Sequence, residues 1–306
     1  MSPRPEVETV EKLPVTVLIA AKNEGINIGR CLAALGRASR VVVVDSRSTD
    51  RTAAVASGAG AEVVQFEYHG GYPKKRQWAL DTLAISTPWT LLLDADEVVP
   101  EPLWLEIGRT IADPHGEFGF LVTKGFHFLG RRFRFGGFSH AAVVLFRTGS
   151  ARFEHILDEP ATAPDMEIHE RLIVDGPIGR LRIPLIHQDW KGLEAYLDRH
   201  NTYSTWEASV RTLYRETGRF GLEAIEPRLF GDAQERRRFL KAVAIKVPFE
   251  PLLWFVYHYF FRLGALEGRP GLIACRIRAH YIAQVRAKMY ESRLAAMARL
   301  RGQRWE

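Results

Sequence analysis

Four short apolar runs within the first 94 residues constrain the fold of this chain more than any other feature. They occupy residues 15–21, 40–45, 62–66 and 89–94, with helix-like stretches between them. Short β-rich runs that alternate with helical segments are typical of a parallel sheet covered by helices. With 306 residues, 46% of them hydrophobic, the chain can bury such a core. The sequence therefore predicts an α/β fold with a mainly parallel central sheet.

Polar side chains follow the ends of three of these runs. Asn23 and Glu24 come after the first run, Asp45 ends the second, and Asp94 ends the fourth. Because open α/β sheets bind ligands at the carboxyl ends of their strands, we expect these side chains to line one site.

The fourth run continues into the acidic sequence Asp94-Ala95-Asp96-Glu97. Two carboxylates one residue apart at the end of a buried strand can hold a hard divalent cation, which in turn neutralises phosphate groups. Acidic residues at a strand end can equally be a solvated loop. This pattern by itself leaves both interpretations open.

Four motifs occur in order along the first 100 residues. They are Ala21-Lys22-Asn23-Glu24, Asp45-Ser46-Arg47-Ser48-Thr49-Asp50, Lys74-Lys75-Arg76 and Asp94-Ala95-Asp96. With this order and spacing, the chain resembles glycosyltransferase family 2 over roughly its first 200 residues. The resemblance implies a GT-A (nucleotide-diphospho-sugar transferase) fold and inverting transfer of a sugar from a nucleotide-sugar donor, with UDP the family's usual nucleotide. The chain departs from the family's frequent Asp-Asp-Gly-Ser motif, which reads Asp45-Ser46-Arg47-Ser48 here.

The resemblance also implies roles for individual residues. The donor nucleotide would contact Ala21, Asn23, Glu24, Asp45, Ser46, Lys75, Arg76, Asp94 and Ala95. Asp96 would ligate Mg or Mn, together with His187, which ends a later apolar run. Basic side chains at the start of a helix suit a diphosphate because they add to the positive end of the helix dipole.

Residues 168–171 and 184–187 extend the resemblance to a subgroup that includes lipopolysaccharide-core beta-glucosyltransferases. An inverting transferase needs a carboxylate that removes the proton from the acceptor hydroxyl. We assign this role to Glu170, although a salt bridge to a neighbouring arginine would also explain its presence. Four nearby carboxylates stay open as alternatives, namely Asp158, Glu159, Asp165 and Glu167.

Two other histidines, His140 and His169, are weaker candidates for metal binding than His187, because their surroundings match no ligand spacing. The run Arg131-Arg132-Phe133-Arg134, followed by Gly136-Gly137-Phe138, could grip an anionic acceptor or could be a solvated edge with core aromatics.

The C-terminal region carries most of the positive charge. Residues 236–306 contain 15 Lys or Arg and four Asp or Glu, whereas the rest of the chain has 27 basic and 32 acidic residues. Within this region, residues 243–263 are apolar and aromatic, but their longest uncharged run of 11 residues is too short to span a bilayer. This pattern favours an element that lies on an anionic membrane surface. A buried helix packed on the sheet is the alternative, and no motif favours nucleic acid.

These features predict a tail over residues 1–13, a catalytic domain over 14–220 and a basic helical region over 221–306. The catalytic domain would have a donor half at about 14–115 and an acceptor half at about 116–220, with a helix from Gly192 to about Glu216. Residues 1–13 lack the apolar core of a signal peptide, and two distant cysteines indicate a reducing compartment. We therefore expect a cytoplasmic protein, peripherally bound to a bacterial inner membrane.

Three other functions compete with a hexosyltransferase that adds one sugar to a lipid-linked, lipopolysaccharide or exopolysaccharide acceptor. A nicotinamide-dependent dehydrogenase would need a glycine-rich GxGxxG turn, which is absent. A sugar nucleotidyltransferase would need a glycine-rich basic loop after the first strand. A catalytically silent, membrane-associated scaffold would be expected to lose some of the acidic residues. Processive synthases carry a QxxRW motif that this chain lacks.

Overall fold

The computed structural model describes residues 11–158, 163–168, 170–231 and 233–301. Its strands are β1 (Leu13–Ala21), β2 (Ala38–Asp45), β3 (Glu62–Gln65), β4 (Trp89–Asp94), β5 (Glu97–Val98), β6 (Gly119–Phe128), β7 (Arg131–Arg132), β8 (His140–Arg147), β9 (Ala151–Phe153), β10 (Leu172–Val174), β11 (Ile178–Arg180) and β12 (Leu185–His187). Its α-helices are α1 (Ile28–Ala33), α2 (Thr52–Gly58), α3 (Lys75–Thr82), α4 (Glu101–Ala112), α5 (Gly192–Thr217), α6 (Ala233–Lys246), α7 (Glu250–Val256) and α8 (Gly268–Leu300).

The central sheet has the strand order β3-β2-β1-β4-β8-β6-β12-β5, with β7 and β11 also paired to β6. The first four strands in this order pair in parallel, whereas β8 runs antiparallel to both of its neighbours. β9 and β10 form a separate antiparallel pair. The predicted α/β class and the four predicted N-terminal strands are confirmed.

Strand β1 lies at the centre of the parallel part because it is apolar on both faces. Val15, Val17 and Ile19 are fully buried on one face, and Leu18 is buried on the other. A strand buried on both faces reads as a continuous apolar run, which is the pattern that the sequence showed. The carboxyl ends of β1, β2 and β4 therefore meet at one edge.

The C-terminal region differs from a single interfacial helix. Helix α6 ends before Pro248, α7 is followed by a π-helical turn (Tyr257–Phe261) and a 3-10 turn (Gly264–Glu267), and α8 then runs back along α5. Proline cannot continue a helix, which explains the first break. Helix α8 packs on α5, and its Ala274 also packs in a cluster with Phe126 and Phe128 at the end of β6.

Two buried ion pairs fix the C-terminal region to the rest of the molecule. Arg238 of α6 pairs with Glu154 after β9, and both side chains are almost completely buried. Arg211 of α5 bonds Glu250 of α7 at 2.9 Å. Removing one partner of such a pair leaves an uncompensated buried charge, so these contacts hold the two parts together.

No helix in the described residues is long and apolar enough to cross a membrane. The predicted boundaries at residues 13 and 220 stay predictions, and residues 1–10 and 302–306 lie outside the described part of the chain.

Candidate active site

A cleft of about 1170 Å³ opens at the carboxyl edge of the parallel strands. One end is lined by the strand end of β4, with Asp94, Ala95 and Asp96, and by Glu24 after β1. The cleft continues past β6 and β8 to residues of α5 and of the C-terminal region. After the roles predicted from the sequence, we call the end at β4 the donor end and the end at the C-terminal region the acceptor end.

Asp94 forms the centre of a charged group at the donor end. Its carboxylate accepts hydrogen bonds from the guanidinium of Arg76 and from Lys124 Nζ, the latter at 2.9 Å. Although burial raises the pKa of Asp94, Arg76 and Lys124 hold it well below its usual range. Lys124 also lies 2.7 Å from the buried carboxylate of Glu97, which in turn accepts the Asp94 N–H at 3.0 Å. Asp94 is therefore ionised and held in place before any ligand arrives.

Asp96 and His187 are brought together by a short antiparallel pairing of β5 with β12. His187 is opposite Glu97 in this pairing, and the Gln188 N–H donates to the Asp96 carbonyl at 3.0 Å. His187 Nε2 lies 3.2 Å from Asp96 Oδ2. Burial lowers the pKa of His187, but Asp96 and Glu97 outweigh it and raise that pKa to about 9.

The donor set of Asp96 and His187 fits a divalent cation that also binds substrate phosphate. Mg²⁺ and Mn²⁺ are often held by one or two protein groups, and phosphate oxygens and water complete the shell. Among the described residues, no group of three or more His, Cys, Asp or Glu is arranged to hold a metal by itself.

The predicted nucleotide residues at the ends of β1 and β2 lie side by side. Ala21 is opposite Asp45, and the Ser46 N–H donates to the Ala21 carbonyl at 3.1 Å. Asn23 adopts a positive φ of 53° and its side chain accepts the Thr49 N–H at 2.9 Å. Asp45 and Ser46 are buried and outside the cleft lining. Their nucleotide contacts stay predictions.

Lys75 and Arg76 begin α3, as the sequence predicted, but they point to different places. Lys75 is buried, donates to the Ala21 carbonyl at 2.9 Å and does not line the cleft. Arg76 lines the cleft and contacts Asp94. Lys75 thus holds α3 against the end of β1, whereas the guanidinium of Arg76 faces the cleft.

Glu170 and Glu167 line the cleft, unlike the other described candidates for the base. Glu170 accepts from Lys74 Nζ at 2.9 Å and from the Ile168 N–H at 2.9 Å. Glu167 accepts the N–H groups of Arg76 and Gln77 at 3.1 and 2.9 Å. Both oxygens of each carboxylate thus accept hydrogen bonds, and the assignment of Glu170 as the base stays a prediction. One ion-pair partner of Glu170 is Lys74.

The other candidates for the base and for metal binding lie in different surroundings. Asp165 is 3.6 Å from both Lys75 and Lys22, and Asp158 is largely exposed beside His155. His140 lines the cleft. Glu159 and His169 lie outside the described residues.

Sequence reasoning missed two residues of the donor end. Lys124 was overlooked, although a single lysine inside an apolar strand is a usable signal of a buried ion pair. Asp189, which follows His187 by two residues, accepts from Asn27 at 2.9 Å and from Arg199 at 2.6 Å. No local pattern marks this aspartate as part of the cleft.

The arginine run from Arg131 to Arg134 does not line the cleft. Glu267, which is buried, accepts from Arg131 at 2.7 Å and from the N–H of Phe135 at 2.7 Å. Phe133 is buried, as expected for interleaved core aromatics. Arg131 therefore packs on the C-terminal region, and contact of this run with an acceptor stays a prediction.

The chain is similar in sequence to known glycosyltransferases. Residues 16–134 match the profile of the family described as Glycosyl transferase family 2. The chain is 27% identical to a lipopolysaccharide core biosynthesis glycosyltransferase, LpsC, of Rhizobium meliloti (strain 1021), over 92% of this chain and 94% of that protein. It is 40% identical to an uncharacterized glycosyltransferase of Mycobacterium tuberculosis, over 27% of this chain and 36% of that protein.

Among solved structures, the chain is similar to glucosyl-3-phosphoglycerate synthase from Mycobacterium tuberculosis in complex with Mn²⁺, UDP and glucosyl-3-phosphoglycerate. The identity is 22%, the match covers 38% of this chain and 45% of that chain, and the TM-score is 0.31. A similarity this low carries no argument about ligands.

The parallel strands, the Asp-Ala-Asp strand end and the family match together define an enzyme of the glycosyltransferase class with a GT-A fold. More particularly, residues 16–134 match the glycosyltransferase family 2 model, and the chain as a whole is similar to the glycosyltransferase LpsC.

Proposed function

We propose that this protein is an inverting, metal-assisted glycosyltransferase that moves one sugar from a nucleotide-sugar, with UDP as its nucleotide, to a lipid-linked or cell-envelope glycan acceptor. The observation that carries the proposal is one cleft that holds the Asp94 to Asp96 strand end, His187 and Glu170. Such a cleft supplies a place for a diphosphate, a cation and a base within reach of one another.

The donor end is suited to a nucleotide diphosphate. A divalent cation held by Asp96 and His187 would neutralise charge on the leaving diphosphate. Arg76 lies beside Asp94 at the first turn of α3 and would add positive charge on the same side. Ala21, Asn23, Glu24, Asp45, Ser46 and Ala95 would position the base and ribose, and Lys75 would act by holding α3 against β1.

Glu170 would act as the base in a direct displacement. It would take the proton from an acceptor hydroxyl while that oxygen forms a bond to the anomeric carbon, and the bond to the diphosphate oxygen would break. The leaving diphosphate would carry away the electron pair of that bond. Lys74 Nζ donates to Glu170 at 2.9 Å and would hold this carboxylate in place, and the same Nζ lies 5.4 Å from the Trp206 ring centre.

The similarity to LpsC, whose name places it in lipopolysaccharide core biosynthesis, supports an acceptor from the bacterial cell envelope. The enzyme would reach such an acceptor from the cytoplasmic face of the inner membrane. Support comes from a group of exposed apolar side chains on α7, directly before it and on the turns after it. We call this group the apolar patch, and it consists of Phe249, Leu252, Leu253, Tyr257, Phe260, Phe261, Leu263 and Leu266.

The apolar patch lies among exposed cations, which favours an anionic lipid surface as its occupant. Lys246 and Arg269 are exposed in the same stretch of chain. Aromatic and leucine side chains beside Lys and Arg match the composition of interfacial membrane elements, in which each cation contributes about 1 kcal/mol near anionic lipid. A second copy of the chain is the other possible occupant, and a sedimentation measurement of the free protein distinguishes the two.

Calorimetric titration tests the donor side of this proposal. UDP, GDP and dTDP are each titrated into the full chain with and without Mn²⁺. We expect UDP to bind more tightly than the others and to depend on the metal. Absence of binding by all three nucleotides would contradict a transferase and favour the catalytically silent scaffold. Release of pyrophosphate from UTP and a sugar phosphate would favour the nucleotidyltransferase.

A further inference from the structure

The acceptor end of the cleft has a wall that comes from the C-terminal region. Trp254, His258 and Arg262, spaced four residues apart, all line the cleft. Leu253, Tyr257 and Phe261, each one residue earlier, are exposed and belong to the apolar patch. One helical segment therefore presents one face to the cleft and another face to the outside.

Contacts with the loop before β8 hold this wall in place. The Gly136 N–H donates to the Arg262 carbonyl at 2.7 Å, and His258 Nδ1 lies 2.7 Å from the Gly136 carbonyl. Gly137 has a φ of 69°, and a Cβ atom there would lie 3.2 Å from His258 Nδ1 and 3.3 Å from the Arg262 guanidinium. The close approach of loop and wall fixes the position of Arg262 relative to the cleft.

A second arginine, Arg278 of α8, also lines the acceptor end. Its guanidinium lies 4.5 Å from the centre of the Tyr281 ring. Within the described part of the chain, neither Arg262 nor Arg278 forms an ion pair with a carboxylate. By contrast, Arg199 in the same cleft is paired with Asp189 at 2.6 Å.

Aromatic rings surround these two cations. Trp254 stacks on His258 with ring centres 3.9 Å apart, and Phe138 packs edge-on against Trp254. Tyr196 stacks on His200 at 3.9 Å on the opposite helix. Burial lowers the pKa of His200 to about 4, so this ring is neutral at physiological pH and the positive charge comes from the arginines. Flat rings suit the apolar faces of sugars, and unpaired arginines suit phosphate or carboxylate groups.

We propose that Trp254, His258, Arg262 and Arg278 form an acceptor subsite that binds a sugar bearing a phosphate or carboxylate group. This assignment deepens the proposed function and rests on it, since the cleft is taken to join a donor end to an acceptor end. It also places the anionic sugar beside the apolar patch, so a lipid anchor attached to that acceptor could stay in the membrane during transfer.

Saturation-transfer NMR on the full chain tests the subsite with simple probes. Glucose 6-phosphate, glucuronate and glucose are compared in the presence of saturating UDP and Mg²⁺, which block the donor end. We expect both anionic sugars to bind about tenfold more tightly than glucose, because a charge-assisted hydrogen bond contributes at least that factor. The relative strengths of the two anions tell which group the subsite prefers.

Arg278→Gln should abolish the preference for anionic sugars, and Arg278→Lys should keep part of it because the charge remains. The matched control is Arg276→Gln on the same helix, since Arg276 is exposed and outside the cleft lining. Equal binding of all three sugars to the wild type, or an equal loss in Arg276→Gln and Arg278→Gln, would overturn the proposal. UDP binding is recorded in every variant. If the wild type does not bind UDP, the proposed function is contradicted, whereas the comparison of the three sugars tests the subsite alone.

Discussion

The two ends of the cleft are built in opposite ways. At the donor end, Asp94, Asp96 and Arg76 come from a strand end and a helix start within 21 residues of chain. Asp94 pairs with Arg76, and Asp96 pairs with His187. At the acceptor end, Arg262 and Arg278 come from a segment more than a hundred residues later and lack carboxylate partners among the described residues. The donor end resembles a site that is organised before its ligand binds, whereas the acceptor end keeps free charge for its ligand.

The largest expected effect is on the chemistry between the two ends. Glu170→Gln should lower turnover by about 10²- to 10⁴-fold, because an amide cannot accept the acceptor proton. UDP binding should be unchanged. Turnover is measured as UDP release from the sugar nucleotide with acceptor glycolipid extracted from the source bacterium. Glu194→Gln on the exposed start of α5 is the control. Normal turnover in Glu170→Gln would show that another carboxylate is the base.

The second largest effect is expected on the stability of the junction between the catalytic domain and the C-terminal region. Arg238→Met should lower the free energy of unfolding by about 3–5 kcal/mol, because it leaves the buried carboxylate of Glu154 without its cation. Arg236→Met, on the exposed side of the same helix, should change it little. Urea unfolding followed by circular dichroism measures both. Equal, small changes would mean that α6 contributes little to holding the acceptor end.

A smaller effect is expected at the apolar patch. The double variant Phe260→Ser and Phe261→Ser should weaken binding to vesicles of phosphatidylethanolamine and phosphatidylglycerol by about tenfold or more, because two exposed rings no longer enter the interface. Leu222→Ser, at an exposed leucine outside the patch, is the control. Co-sedimentation measures both. Deletion of residues 236–306 would be a poorer test, since it also removes the wall of the cleft.

If the double variant binds vesicles as well as the wild type, the patch is not the membrane contact. If the wild type sediments as a dimer and the variant as a monomer, the patch is an interface between two copies. Either result would contradict the proposal that the acceptor end of the cleft lies beside the membrane.

The sequence predicted the donor end far better than the acceptor end, for a physical reason. The β-rich runs and their polar ends are local patterns, and parallel pairing of β1, β2 and β4 brings those ends together by itself. The helix from Gly192 to about Glu216 was also visible in its periodicity and is confirmed as α5. In these elements, local pattern and tertiary structure agree.

Contacts distant in sequence could not be predicted in this way. Nothing local indicates that Lys75 turns toward Ala21 while Arg76 turns toward Asp94, because this depends on how α3 packs on β1. Likewise, the contact of Gly136 with Arg262 joins residues that are 126 positions apart in the sequence. From the sequence, the basic charge in residues 236–306 indicated only an outer surface. In the structure, some basic side chains of this region lie on the outer surface and others line the cleft.

The central claim is that Asp96 helps to hold a cation for the donor's diphosphate, and one titration tests it most directly. UDP binding is measured calorimetrically with and without Mn²⁺ for the wild type, Asp96→Asn and Asp113→Asn, the last at an exposed aspartate after α4. We predict that Mn²⁺ strengthens UDP binding in the wild type and in Asp113→Asn but not in Asp96→Asn, because an amide has no charge to offset the cation. An undiminished metal effect in Asp96→Asn would contradict the account.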